Sequence, residues 1–263
     1  MKKEIRLLKK LNQLLRKIGC PRYLHHFGPK KYKFVQHALA LLLKEVFKLS
    51  FRRISNLLIM LNLEVPTYSA LCKIRKRIPF WIWNSLLKTT IDFNDFIVAV
   101  DSTGFSRTNP SFHYLKRIDK KCPRGYAKLS VFFDIPHRKF IALKIRIKPR
   151  HDTQDINYLL KQNRLPKKLF GDSAYDSEKI YEYCYWNNIQ TIIKPKKNVR
   201  RGAFRKKQMK GYSEEEYHQR SLIEAGFGSL KRKYGSSVLG KNPKSVKTEI
   251  YCKAIAHNLS LNN

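Results

Sequence analysis

Phe96-Ile-Val-Ala-Val100 is an unbroken apolar run, and Asp101-Ser-Thr-Gly104 follows it directly. A short apolar run without alternation reads as a strand covered on both faces, which calls for a layered fold. A carboxylate at the end of such a strand, leading into a Ser/Thr/Gly turn, fits a site at the strand's carboxyl edge. Two further strands, over 126–135 and 140–148, are joined by the short connector 136–139 and predict an antiparallel hairpin. In the second of them Ile141, Leu143, Ile145 and Ile147 alternate with Lys144, Arg146 and Lys148. Then come a helix over 152–163, a strand over 167–171, a helix over 177–187 and a strand over 191–194. The segment 196–210 is very basic and reads as a loop, and an amphipathic helix over 243–261 closes the chain.

The stretch Glu214–Gly235 predicts one long helix, with acidic residues at its start and Lys231, Arg232 and Lys233 at its end, as the helix dipole favours. At about 100° per residue, Tyr217, Arg220, Glu224 and Lys231 fall within an arc of roughly 60°. Ile223, Phe227, Leu230 and Tyr234 form a second, apolar stripe beside it. The helix therefore holds a phenol, a guanidinium, a carboxylate and an ammonium along the lip of its buried face. From residue 96 the order is three strands followed by alternating helices and strands, which is ribonuclease H-like. In that topology the first and fourth strands are neighbours, so Asp101 and Asp172 meet at one edge.

Residues 1–93 read as helical. Leu7, Leu8, Leu11, Leu14, Leu15 and Ile18 mark a first amphipathic helix that ends at Gly19-Cys20-Pro21, and a second spans 31–48. Helix, short turn and basic helix over 50–77, with Thr67 as cap, is the outline of a helix-turn-helix. Lys73, Arg75, Lys76 and Arg77 would face phosphate or groove; the plainer alternative is a helical hairpin with a solvated basic face. Pro79 ends that helix. The domain expectation is 1–93 for a helical DNA-binding region and 94–263 for a catalytic domain.

Charge decides between partner classes. The chain carries 55 Lys+Arg against 19 Asp+Glu, a formal charge of +36, which implies a polyanion, and nucleic acid is the obvious one. The 43% hydrophobic content argues for a folded protein rather than a basic tail. Cys20, Cys72, Cys122, Cys184 and Cys252 are scattered with no CxxC pair, as for reduced thiols in a cytoplasmic protein. The N-terminus lacks the apolar core and cleavage site of a signal peptide, and no apolar run is long enough to span a membrane.

Three segments together resemble a known family: Val100-Asp101-Ser-Thr-Gly104, Gly171-Asp172-Ser-Ala-Tyr-Asp176, and Tyr217-x2-Arg220-x3-Glu224-x6-Lys231. They are similar to the DDE transposases of prokaryotic insertion sequences, in the insertion-sequence four/five-like branch marked by a Tyr–Arg–Glu–Lys signature. The resemblance covers 94–263, and loosely the helical part before it. One departure stands out: only about residues 196–213 separate the last strand from the Glu224 helix, where some members insert a β-rich subdomain.

The resemblance implies Asp101, Asp172 and Glu224 as catalytic residues and as ligands of two Mg²⁺ or Mn²⁺ ions. It implies Tyr217, Arg220 and Lys231 as contacts to the DNA backbone, and double-stranded DNA, both transposon ends and target, as partner. A homodimer in the DNA complex and a nucleoid-associated cytoplasmic location are expected with it. Hard divalent ions suit carboxylate oxygens, and one bridging carboxylate lets three of them hold two ions. A planar Arg fork suits a phosphate, while Lys acts as a point charge. Asp152 and Asp176 read as helix caps, Asp119 and Asp134 as turn residues, and His151 as structural. The alternatives are a ribonuclease H-type or structure-selective nuclease and an inactive DNA-binding transposon remnant.

Overall fold

The computed structural model describes residues 2–24, 31–92, 94–107, 117, 125–148, 150–162, 165–197 and 201–261. Asp119, Cys122 and the side chains of Leu7 and Leu8 lie outside the described residues. The chain forms two compact units, Met1–Ile91 with Leu230–Asn263, and Asp92–Ser229.

The first unit is helical: α1 Lys2–Lys17, α2 Phe34–Val46, α3 Phe51–Met60, α4 Tyr68–Ile74 and α5 Phe80–Thr89. Local chemistry sets the boundaries. Ser50 Oγ accepts the Arg53 amide at the start of α3, and Thr67 Oγ1 accepts the Ala70 amide at the start of α4. The closing helix of the chain also belongs to this unit and packs on α2 and α5. It spans Pro243–Ser260, with Asn242 as its cap and Pro243 in its first turn. Sequence pattern suggests an amphipathic helix here, yet Ser245, Thr248, Glu249, Lys253, His257 and Asn258 are buried along with its apolar residues. Four of these side chains have clear partners: Thr248 Oγ1 donates to the Arg75 carbonyl, and Asn258 Nδ2 donates to Thr90 Oγ1. Lys253 Nζ donates to the Gly235 and Ser237 carbonyls, while Glu249 accepts from the Leu239 and Gly240 amides.

The second unit is a mixed sheet flanked by helices. Its strands are β1 Ile97–Arg107, β2 Tyr126–Asp134, β3 Lys139–Arg146, β4 Lys168–Gly171 and β5 Gln190–Ile193, in the order β3-β2-β1-β4-β5. β1–β2 and β2–β3 are antiparallel; β1–β4 and β4–β5 are parallel. The expected neighbourhood of first and fourth strands is present. β3 alternates where its sequence suggests: Leu143 and Ile145 are buried and Lys144 and Arg146 half-buried, while Lys139 to Ala142 ahead of them are all buried. The helices are α6 Thr153–Gln162, α7 Glu178–Trp186, α8 Ala203–Met209, α9 Glu214–Tyr217 and α10 Ser221–Tyr234. α10 continues past Ser229 into the first unit.

Three local expectations need correction. Segment 196–210 is not a loop throughout: α8 lies within it. Residues 214–235 are not one uniform helix, since a 3₁₀ turn, His218–Arg220, separates α9 from α10. β1 does not end before Asp101 but runs six residues beyond it, because β2 keeps pairing with it to Ser106↔Tyr126.

Candidate active site

Asp101 sits in the middle of β1, but at the edge of part of the sheet. Pairing of β1 with β4 stops at Ala99↔Phe170, so Asp101 stands just past it, and Asp172 directly follows Gly171, the last residue of β4. Asp172 caps a 3₁₀ turn, Ser173–Tyr175, accepting the Ala174 amide at 2.9 Å. Gly171 is closely packed. A Cβ there would lie 3.3 Å from the Tyr175 side chain and from Val100 Cγ1. Glu224 is in the first turn of α10. The stripe Ile223, Phe227, Leu230 and Tyr234 is buried as the sequence suggests, and a Cβ on Gly226 would strike the Phe133 ring at 2.6 Å, so this helix face lies tight on β2.

Arg220 joins the pieces. Its Nη1 lies 3.3 Å from Asp101 Oδ2 and its Nη2 2.9 Å from Glu224 Oε1. Burial pushes the Asp101 carboxyl above its ordinary value; the Ser102 amide at 2.7 Å and Arg220 pull it down, and Asp172 and Glu224 push it up again. For Arg220, burial acts to lower the guanidinium, and Tyr217, Asp101, Glu224 and Asp172 more than offset it. All three carboxylates thus act on one guanidinium. The Tyr217 ring takes the Arg220 guanidinium at 5.9 Å and Lys194 Nζ at 5.8 Å from its centroid. Lys231 follows Glu224 by seven residues on α10, and burial pulls its ammonium down.

Among the described residues, no group of three or more His, Cys, Asp or Glu side chains is drawn together tightly enough to hold a metal ion. The donor set still suits one: three carboxylates within electrostatic range of each other, balanced by one guanidinium. A hard divalent ion offers the same counter-charge with oxygen as its preferred ligand.

A family model described as a transposase DDE domain matches residues 94–259. The chain is a member of that DDE transposase family. Family membership makes it a transposase by kinship and DNA its expected partner. Among curated proteins, none matches the chain.

The transposase domain also contains a second charged network that sequence reasoning missed. Asp152 stands directly before α6, and its Oδ1 takes Ser102 Oγ at 2.8 Å and Lys128 Nζ at 2.5 Å. Asp155, on the inner face of α6, binds Arg146 Nε and accepts Ser130 Oγ at 2.9 Å. Ser102 and Asp101 are consecutive in a strand and point to opposite faces. The network therefore holds β1 from behind while Arg220 meets Asp101 in front. The alternation Lys128, Ser130 on β2, facing Ser102, was the available signal. Tyr175 lies between the two sets: it is 1% exposed, its hydroxyl has no hydrogen-bond partner among the described residues, and burial with the carboxylates of Asp152, Asp101, Asp172 and Asp155 drives its phenol far up. Asp176 is clamped by Arg205. Asp134 does serve a turn, accepting the His137 amide at 2.9 Å.

In the first unit, Lys73, Lys76 and Arg77 are exposed at and after the end of α4. Arg75 is half-buried, with its guanidinium 4.8 Å from the Phe51 ring centroid. Cys20, Cys72, Cys184 and Cys252 are free thiols. No helix among the described residues is long and apolar enough to cross a membrane.

Proposed function

We propose that the chain is the transposase of an insertion sequence in the Tyr–Arg–Glu–Lys branch, with a ribonuclease H-like catalytic domain over 94–263. It cuts its element's ends and joins the freed 3′-hydroxyl to target DNA. The observation that carries this reading is the fork of Arg220 between Asp101 and Glu224, residues far apart in sequence, with Asp172 in range. A plain ion pair on a helix surface would not recruit carboxylates from two strands.

In the first step water attacks the phosphorus at the element's end. A new P–O bond forms, the P–O3′ bond breaks, and the 3′-oxygen leaves with a proton. In the second step that 3′-hydroxyl attacks a target phosphodiester, and the target's own 3′-oxygen leaves. Asp101, Asp172 and Glu224 would hold a pair of Mg²⁺ or Mn²⁺ ions, which when bound supply an activated nucleophile and neutralise the leaving oxygen. Arg220 leaves the carboxylates for a backbone phosphate, where its planar fork is matched by two oxygens. Tyr217 and Lys231 steady the same backbone. Residues 1–93 recognise the terminal repeat, with Lys73, Lys76 and Arg77 on phosphates; Arg75 supports them from the Phe51 ring. The working form is a cytoplasmic, nucleoid-associated homodimer on DNA.

The test uses one duplex carrying the element's terminal repeat and one of scrambled sequence. The parent should bind the repeat preferentially and nick it at the boundary with Mg²⁺ or Mn²⁺, leaving a 3′-hydroxyl that joins to plasmid. Lys73→Ala with Lys76→Ala and Arg77→Ala should weaken repeat binding and flatten its salt slope by about 3. Equal binding to both duplexes with no metal-dependent nick would favour the inactive DNA-binding remnant. Nicking without joining would favour a nuclease.

A further inference from the structure

The second unit carries an exposed aromatic platform that the catalytic reading does not use. On α7, Trp186 is 69% exposed and Tyr185 38% exposed. Together with Phe204 on α8 they form a trio with ring centroids 5.4–5.9 Å apart. Lys207 Nζ stands 4.5 Å from the Tyr185 centroid and 5.6 Å from that of Phe204. Tyr185, Trp186, Asn188, Lys207 and Gln208 line a cleft of about 660 Å³ beside it.

The platform is held in place. Glu178 accepts the Phe204 and Arg205 amides, which caps the start of α8. Arg205 forks onto buried Asp176 at 2.8 and 3.0 Å, and Gln208 Oε1 accepts from Thr191 while its Nε2 donates to the Ile189 carbonyl. Gly202 makes the approach possible, at φ +121°, where a Cβ would lie 2.1 Å from Glu178 Oε2. An indole left in water on a fixed scaffold, with an ammonium over its neighbours, matches a ligand with flat apolar faces and negative charge.

We propose that this α7–α8 face binds unpaired DNA, stacking a base on Trp186 and Tyr185 with Lys207 on the adjoining phosphate. Bases of an intact duplex have no free face to offer, so the strand must be single or locally opened. Charge argues against a second copy of the chain as occupant. Residues 177–212 hold ten Lys/Arg and two Glu, so two such faces would repel. The proposal is independent of the carboxylate chemistry, since it needs no cleavage.

The test measures full-length protein binding to a fluorescent single-stranded oligonucleotide and to a duplex, in EDTA, at about 0.3 M salt, where phosphate attraction is screened and stacking persists. Trp186→Ala should weaken single-strand binding roughly 5- to 100-fold, with duplex binding and melting temperature unchanged. Trp186→Phe should restore most of it, and Lys207→Ala should lower the single-strand salt slope by about one. Unchanged single-strand binding by Trp186→Ala overturns the proposal, as does an equal loss on both DNAs. A parent that sediments as a dimer through this face, with Trp186→Ala monomeric, also overturns it. Because nothing is cut in EDTA, failure here leaves the catalytic reading standing, and failure of cleavage elsewhere leaves this one.

Discussion

At the scale of single residues, Arg220 governs the site. Three carboxylates near one another repel and raise each other's proton affinity. A guanidinium can serve two of them at once because its donors form a planar fork, whereas an ammonium serves one geometry at a time. Arg220→Lys keeps the charge and loses the fork. Cleavage of the element's end should fall on the order of 100-fold, the usual effect of losing one preorganised donor to a charged transition state, with the melting temperature nearly unchanged. Equal cleavage by the variant would remove Arg220 from the reaction. Asp101, Asp172, Glu224 and Arg220 were legible in the sequence because acidic residues at apolar run ends and a four-residue spacing survive without coordinates. Asp152 and Asp176 were not. A carboxylate before a helix looks like a cap by pattern alone, and its tertiary partners, Lys128 for Asp152 and Arg205 for Asp176, leave no trace in that pattern.

At the scale of elements, strand order and the hairpin followed from apolar runs and short connectors, as did the closing helix. What pattern could not show was where pairing partners stop. β1 outlasts its neighbour β4, so a carboxylate in mid-strand acts as one at a strand end. α8 was hidden because its sequence, AFRKKQM, carries one Phe among cations. It is held by the Glu178 cap and the Asp176–Arg205 pair rather than by a stripe of its own. For Asp176, burial acts upward, but the Arg205 fork and the Lys196 amide at 2.6 Å outweigh it and hold the carboxyl below its usual range. A depressed folded pKa stabilises the fold above the ordinary carboxylate pKa and ceases to do so as pH falls through the folded value. Asp176→Asn should therefore destabilise the protein by roughly 3–5 kcal/mol near neutrality, as when one partner of a buried pair is removed. The gap to the parent should narrow as the pH is lowered below 4. Melting curves across pH would read this directly; a gap independent of pH would mean the ion pair contributes nothing.

At the scale of the whole molecule, the fold gathers the proposed catalytic set from stretches that the chain keeps apart. Asp101 comes from β1, Asp172 from the end of β4 and Glu224 from α10. The closing helix packs on α2 and α5, so the helical unit is built from both ends of the chain. Sequence order alone could not show that, since a buried helix that carries polar side chains has the composition of an exposed one. The most direct measurement is cleavage of a repeat-end duplex by Asp101→Asn, Asp172→Asn and Glu224→Gln, alongside DNA binding and melting. Each change removes a charge at nearly constant volume. With three carboxylates serving one metal-dependent reaction, each variant should keep its fold and its affinity for DNA while cleavage and strand transfer drop by orders of magnitude. Near-parental cleavage by any one of the three would contradict the account.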